Sequence, residues 1–151
     1  MTASADFERP AAIPRTVQTV AIAGMVPLAA IALAVWIPSG PVSLPDLYLA
    51  GFAYSAVVLS FISGARWGAA KAQSASDLLV SALPPLAGWI ALLISPLVGL
   101  CLLTAAFFLQ AFWNVVSVDQ GALPPWFGKS SSLFTAGAVI ALIAMLFKLL
   151  T

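Results

Sequence analysis

The sequence predicts an all-α membrane protein, a single bundle of about five transmembrane helices, and three observations carry that expectation. Of its 151 residues, 62% are hydrophobic and only 7% charged, whereas soluble domains carry about 25% charged residues. The mean hydropathy is +1.08. Apolar runs of roughly 20 residues, the length that crosses a hydrocarbon core of about 30 Å, recur five times between short polar or proline-rich breaks. That leaves room for one bundle and no second domain.

Residues 1–16 are polar, carry Asp6, Glu8 and Arg9 and show no apolar period, which reads as a cytoplasmic tail. The first span is expected over 17–37, too long for the 7–15-residue apolar core of a signal peptide. Pro27 inside it removes one intrahelical hydrogen bond, which membrane helices tolerate when neighbours satisfy the freed carbonyl. Trp36 then reads as an interfacial anchor, and Pro38-Ser39-Gly40-Pro41 as the turn that stops the helix.

The second span is expected over 46–70, with Asp46 in its first turn where a carboxylate suits the helix dipole. Ser74-x-x-Asp77 has the form of a capping box and opens a third span over 76–94. Within it Pro84-Pro85 deprive the carbonyls of Val80 and Ser81 of their donors four residues on. Ser95-Pro96 makes a tight uncharged turn into a fourth span over 96–118. Gln120 to Lys129, rich in proline and glycine, is expected as the longest internal loop. The fifth span covers 130–150, with Lys148 snorkelling at its end.

The stretch Tyr54 to Gly68 stands out, because it alone puts small residues, hydroxyls and a cation inside an apolar run. Ser60, Gly64 and Gly68, following Ala56 at intervals of four, are expected to form a helix-packing seam inside the bundle. Arg66 lies on another face. In the fourth span Gln110 and Asn114 share a face, with Trp113 beside them and Asp119 just beyond. Spans two and four run in the same direction, so Arg66 and Asn114 both lie about 11 Å from the middle of their helices at one end of the bundle. The candidate polar pocket is therefore Arg66, Gln110, Asn114, Trp67, Trp113 and Asp119, with the carbonyls of Val80 and Ser81 as further acceptors and Asp119 as counter-ion. Arg66 has two readings, a cation that snorkels to lipid phosphate or the buried anchor of that pocket.

What is missing narrows the chemistry. The chain has no histidine and a single cysteine, Cys101, so the usual zinc and haem ligand sets and serine–histidine catalysis are not expected, and no metal or cofactor is assigned. The acids Asp6, Glu8, Asp46, Asp77 and Asp119 fall in the tail or at helix ends, where positioned acid–base work is not expected, so the protein is read as not an enzyme. A net charge of +1 with scattered basic residues argues against nucleic acid as a partner. Arg9, Arg15, Arg66, Lys71 and Lys129 fall on one side of the five spans and only Lys148 on the other, which predicts a cytoplasmic N-terminus and a periplasmic C-terminus.

The run Tyr54-Ser55-Ala56-Val57-Val58-Leu59-Ser60-Phe61-Ile62-Ser63-Gly64-Ala65-Arg66-Trp67-Gly68 resembles the signature of the DUF3429 family, a small group of unknown function in bacteria and mitochondria that includes transmembrane protein sixty-nine. Arg66 stands where that family usually has histidine. Pro124-Pro125-Trp126-Phe127 and Leu133-Phe134-Thr135 resemble a second block of the family, with Ser131 in place of an arginine and Phe127 in place of a tyrosine. The resemblance covers about Gly24 to Leu146 and implies a multi-helix protein of the bacterial inner membrane. It supplies no activity, ligand or site residue. The functional expectation is a non-catalytic accessory or assembly component of a larger membrane complex, held in the lipid bilayer. The alternative is a small carrier or binding protein for an amphipathic or anionic ligand at the cytoplasmic leaflet, with Arg66 on its head and Trp67 and Trp113 on its apolar body.

Overall fold

A computed structural model describes residues 15–37, 40–70 and 75–151. They form five helices, α1 (Arg15–Ala34), α2 (Leu44–Ala69), α3 (Ala75–Ala91), α4 (Pro96–Asp119) and α5 (Pro125–Leu150), and no strand among the described residues. Three of them, α2, α4 and α5, are long and apolar enough to cross a membrane; α1 and α3 contribute shorter apolar stretches. Most of the expected tail, part of the Pro38–Pro41 turn and Ser74 of the expected capping box lie outside the described residues.

The helix ends follow from local chemistry. Ser43 caps α2, its Oγ accepting from the Asp46 N–H at 3.4 Å, and Pro45 occupies the first turn where no donor is needed. Pro96 opens α4 in the same way. At the other end of α4, Gly121 takes a φ of +74°, the left-handed conformation that glycine adopts at least cost. The N–H groups of Gly121 and Ala122 turn back onto the carbonyls of Val118 and Ser117 at 2.9 Å each, closing the helix. This reversal tucks Leu123 into the bundle, where it is 2% exposed.

Helices α1 and α3 each end three residues before the expected limit, and the largest difference lies at the last helix. The fifth helix starts at Pro125, not Ser130, so the loop after α4 is short. Pro125 is compatible with a first helical turn, because its ring presets φ and its missing N–H would go unbonded there anyway. Ser131, at the start of the expected span, thus lies in the second turn of α5, where it is buried.

α2 touches each of the other four helices, while α1, α5, α4 and α3 pack in sequence around it. Phe107, Leu59, Leu100, Leu103, Leu142 and Met145 are fully buried between them. The outer surface carries many large apolar side chains: Leu79, Leu33 and Ile140 are about 70% exposed. Soluble proteins rarely expose apolar patches on this scale, so the surrounding medium is itself apolar. Two tyrosines tie α2 to its neighbours. Tyr48 Oη donates to the Met145 carbonyl at 3.0 Å, and Tyr54 Oη to the Gly24 carbonyl at 2.5 Å. Gly24 lies on α1 next to Ala23, whose carbonyl loses its helical donor to Pro27. Tyr54→Phe is expected to lower detergent-solution stability by about 1 kcal/mol, the usual net worth of such a bond. A melting curve that superposes on the parent's would show that this tether contributes nothing.

Candidate functional site

The polar side chains gather at one end of the bundle, where α2 and α4 finish and α3 and α5 begin. Arg66, near the end of α2, is 4% exposed and therefore buried rather than snorkelling. Its Nη1 donates to Asn114 Oδ1 at 3.0 Å and its Nη2 to Ser117 Oγ at 2.8 Å, both on α4. Nη2 also lies 3.8 Å from Asp77 Oδ1 in the first turn of α3. The guanidinium stacks over the Trp113 ring, 5.6 Å from its centroid, a cation–π arrangement that gains strength away from water.

From Asn114 the network spreads in both directions. Gln110 Nε2 donates to Asn114 Oδ1 at 3.2 Å, and Gln110 Oε1 accepts from Ser63 Oγ on α2 at 3.2 Å. Asn114 Nδ2 donates to Ser131 Oγ on α5 at 3.1 Å. Asn114 is fully buried and joins three helices, with Arg66 and Ser131 on either side of it. The turn-by-turn spacing explains the grouping. Ser63 and Arg66 are three apart on α2, while Gln110, Asn114 and Ser117 follow at four and three on α4, so each set lies on one helix face.

The expected pocket residues separate into two groups. Arg66, Gln110, Asn114 and Trp113 come together. Trp67 is 48% exposed, and Asp119 is exposed at the helix end rather than beside the guanidinium. The carboxylate nearest Arg66 is instead Asp77, because α3 runs antiparallel to α2 and starts where α2 ends. The carbonyls of Val80 and Ser81 are not among the acceptors of Arg66, whose donors go to side chains of α4. Ser63, Ser117, Ser131 and Asp77 complete the network and lie outside the expected pocket set, Asp77 being read from the sequence as a helix cap and Ser131 as a departure from the family pattern. Spacing alone could have proposed Ser63 and Ser117, each three residues from a chosen polar position on the same face.

The expected packing seam is corrected. Ser60, Gly64 and Gly68 face outward, and a Cβ added at Gly64 or Gly68 would meet nothing within 4 Å. Only the first member of the row, Ala56, is in close contact: a Cβ on Gly88 of α3 would come within 2.8 Å of the Ala56 Cα. The reason is geometric. At about 100° per residue a step of four overshoots a full turn by roughly 40°, so Gly68 lies about 120° around the helix from Ala56. The buried face of α2 drifts the other way, through Leu59, Ile62 and Ser63 to Arg66.

Chemically the cluster is a charge held among neutral dipoles and one partly exposed carboxylate. Among the described residues no group of three or more His, Cys, Asp or Glu could hold a metal ion. A cavity of about 10 Å³ lies against Arg66, Trp67, Asp77 and Ser81, room on the scale of a single water.

Residues 13–147 match the family described as Protein of unknown function (DUF3429), and the chain belongs to it. Neither a curated protein nor a solved structure matches the chain. Two of the three departures from the resemblance noted above, Arg66 and Ser131, are both hydrogen-bonded to Asn114, as is Gln110.

Proposed function

We propose that the protein is a non-catalytic component of a bacterial inner membrane that packs against a larger membrane complex, and that its Arg66 network is an internal fastening rather than a ligand site. The observation that carries this reading is how Arg66 is engaged. Each terminal nitrogen makes a hydrogen bond to α4, Nη1 to Asn114 and Nη2 to Ser117, with Asp77 3.8 Å away and Trp113 against its face. A carrier that used Arg66 to hold an anionic head would have to dismantle contacts that join α2, α3 and α4. Outside the bundle, Ser60, Gly64 and Gly68 lie exposed on α2 with Val57, Phe61 and Trp67 around them, an apolar surface of alternating small and large side chains that a partner's helix could cover.

Purification in mild detergent tests the reading. A stoichiometric protein partner that survives Arg66→Lys supports it. An anionic amphiphile retained by the parent and lost from Arg66→Lys would overturn it in favour of the carrier.

In the same reading all five helices cross the bilayer. The rise of α3, about 25 Å for its 17 residues, falls a little short of a typical core and is completed by the apolar turn that follows it. The excess of Lys and Arg at the end holding Arg66 sets the N-terminus in the cytoplasm. Alkaline phosphatase fused after Thr151 is therefore expected to be active in the periplasm. A reporter that works only in the cytoplasm, fluorescent or active at that position, would reverse the topology.

A further inference from the structure

We infer that α3 is hinged at Pro84-Pro85, and that its first half moves between two positions, one with Asp77 beside Arg66 and one closed into the groove it shares with α4. The hinge is written in the backbone. Neither proline can donate to the carbonyl four residues back, so two successive rungs, at Val80 and Ser81, are missing from the helix. The Ser81 hydroxyl in turn donates to the Asp77 carbonyl at 2.7 Å, a back-bond that itself favours bending.

The two halves are held unequally. After the prolines, a Cβ added at Gly88 would come within 2.8 Å of the Ala56 Cα on α2, and one added at Gly99 of α4 within 2.9 Å of the Ala91 carbonyl oxygen. Residues 92–95 then join this half directly to α4. Before the prolines, Ala75, Leu78, Leu79 and Leu83 are exposed, and Val80 and Leu83 look onto Leu109 and Trp113 across a groove of about 150 Å³. The first half has space on its α4 side, and the second half has none.

The latch lies on the other side. Asp77 Oδ1 is 3.8 Å from Arg66 Nη2 and its side chain is 38% exposed, which makes the pair weak. Closing the groove exchanges it for contacts of Val80 and Leu83 with Leu109, individually small and favourable in sum, so the two positions lie close in free energy. Asp77 is seven residues, about 10 Å, from Pro84, and a bend of about 20° carries it about 4 Å. That is as far as it now stands from the guanidinium. Asn114 and Ser117 belong to α4 and hold Arg66 in both positions, so the inference goes beyond the proposed function and leaves its fastening of α2 to α4 intact.

Electron paramagnetic resonance of the full chain in lipid nanodiscs tests the hinge. In a Cys101→Ser background, spin labels on Leu79→Cys and Phe112→Cys report the first half of α3 against α4, and labels on Trp89→Cys and Val98→Cys report the second half; all four positions are exposed. Dipolar broadening should resolve two distances for the first pair, about 3 Å apart for a site five residues from the hinge, and one for the second. Asp77→Asn, which removes the charge, should raise the share of the shorter distance about twofold, the effect of losing a weak ion pair, and added salt should act in the same direction. Ala105→Phe, which fills the groove, should abolish the shorter distance, and Pro84→Ala with Pro85→Ala should leave a single distance. A single distance for the first pair of the parent, or two that survive Ala105→Phe, would overturn the hinge. Populations that ignore Asp77→Asn would overturn the latch.

Discussion

Arg66→Ala is expected to destabilise the detergent-solubilised protein by about 2–4 kcal/mol, because it removes two buried hydrogen bonds from a charged donor, each worth about 1.5–3 kcal/mol. Asn114 and Ser117 lose their charged donor, and the Trp113 ring loses the cation stacked on it. Asp77 matters less. It is 38% exposed and 3.8 Å away, and an ion pair at that distance and exposure contributes little. Arg66→Lys should restore part of the loss, since an ammonium keeps the charge but cannot reach Asn114 and Ser117 with one planar fork. The decisive measurement is a double-mutant cycle with Asn114→Ala. Neighbours that share a network deviate from additivity by about 0.5–3 kcal/mol, and here removing one partner should cost much less once the other is gone. Strict additivity, with Arg66→Lys melting like the parent, would return Arg66 to a snorkelling role at the lipid surface.

How far this site can be read from the sequence depends on what each residue type announces. An arginine, a glutamine and an asparagine inside apolar runs are conspicuous, and the spacing of four between Gln110 and Asn114 places them on one helix face whatever surrounds them. Serines are not conspicuous. Ser63, Ser117 and Ser131 are buried in the network while Ser60 lies exposed, and nothing in their own chemistry separates them, since a helical serine can return its hydroxyl to a carbonyl four residues back, as Ser60 and Ser117 both do. Choosing Asp77 over Asp119 required knowing which helix start abuts the end of α2. The number of helices and most of their limits follow from hydropathy and proline, yet α5 begins earlier than expected because proline pairs punctuate loops and open helices equally well. Ser131 lies on the fifth helix under either start, and what sequence could not supply is the packing of α5 on α4 that brings it to Asn114.

The close packing of α2 is expected to fail at Gly88, not at Gly64. The closest helix–helix approach marked by a glycine on α3 brings Gly88 against Ala56: a Cβ at Gly88 would sit 2.8 Å from the Ala56 Cα and 2.9 Å from its Cβ. The first of these is backbone, which cannot swing aside as the end of a flexible side chain does. Gly88→Leu must therefore separate two helices, and it should cost about 3 kcal/mol, the upper end of overpacking penalties, or prevent accumulation in the membrane. Gly88→Ala should already be felt, because the strain starts at Cβ. Gly64→Leu adds the same side chain where nothing lies within 4 Å, so the isolated protein should melt like the parent. Any loss of accumulation that appears only in cells, with detergent-solution stability unchanged, would then report a partner that approaches this flank of α2. Equal destabilisation of the purified protein by Gly64→Leu and Gly88→Leu would mean that the row from Ala56 to Gly68 packs as one seam and that the outward drift of its last two glycines is wrong.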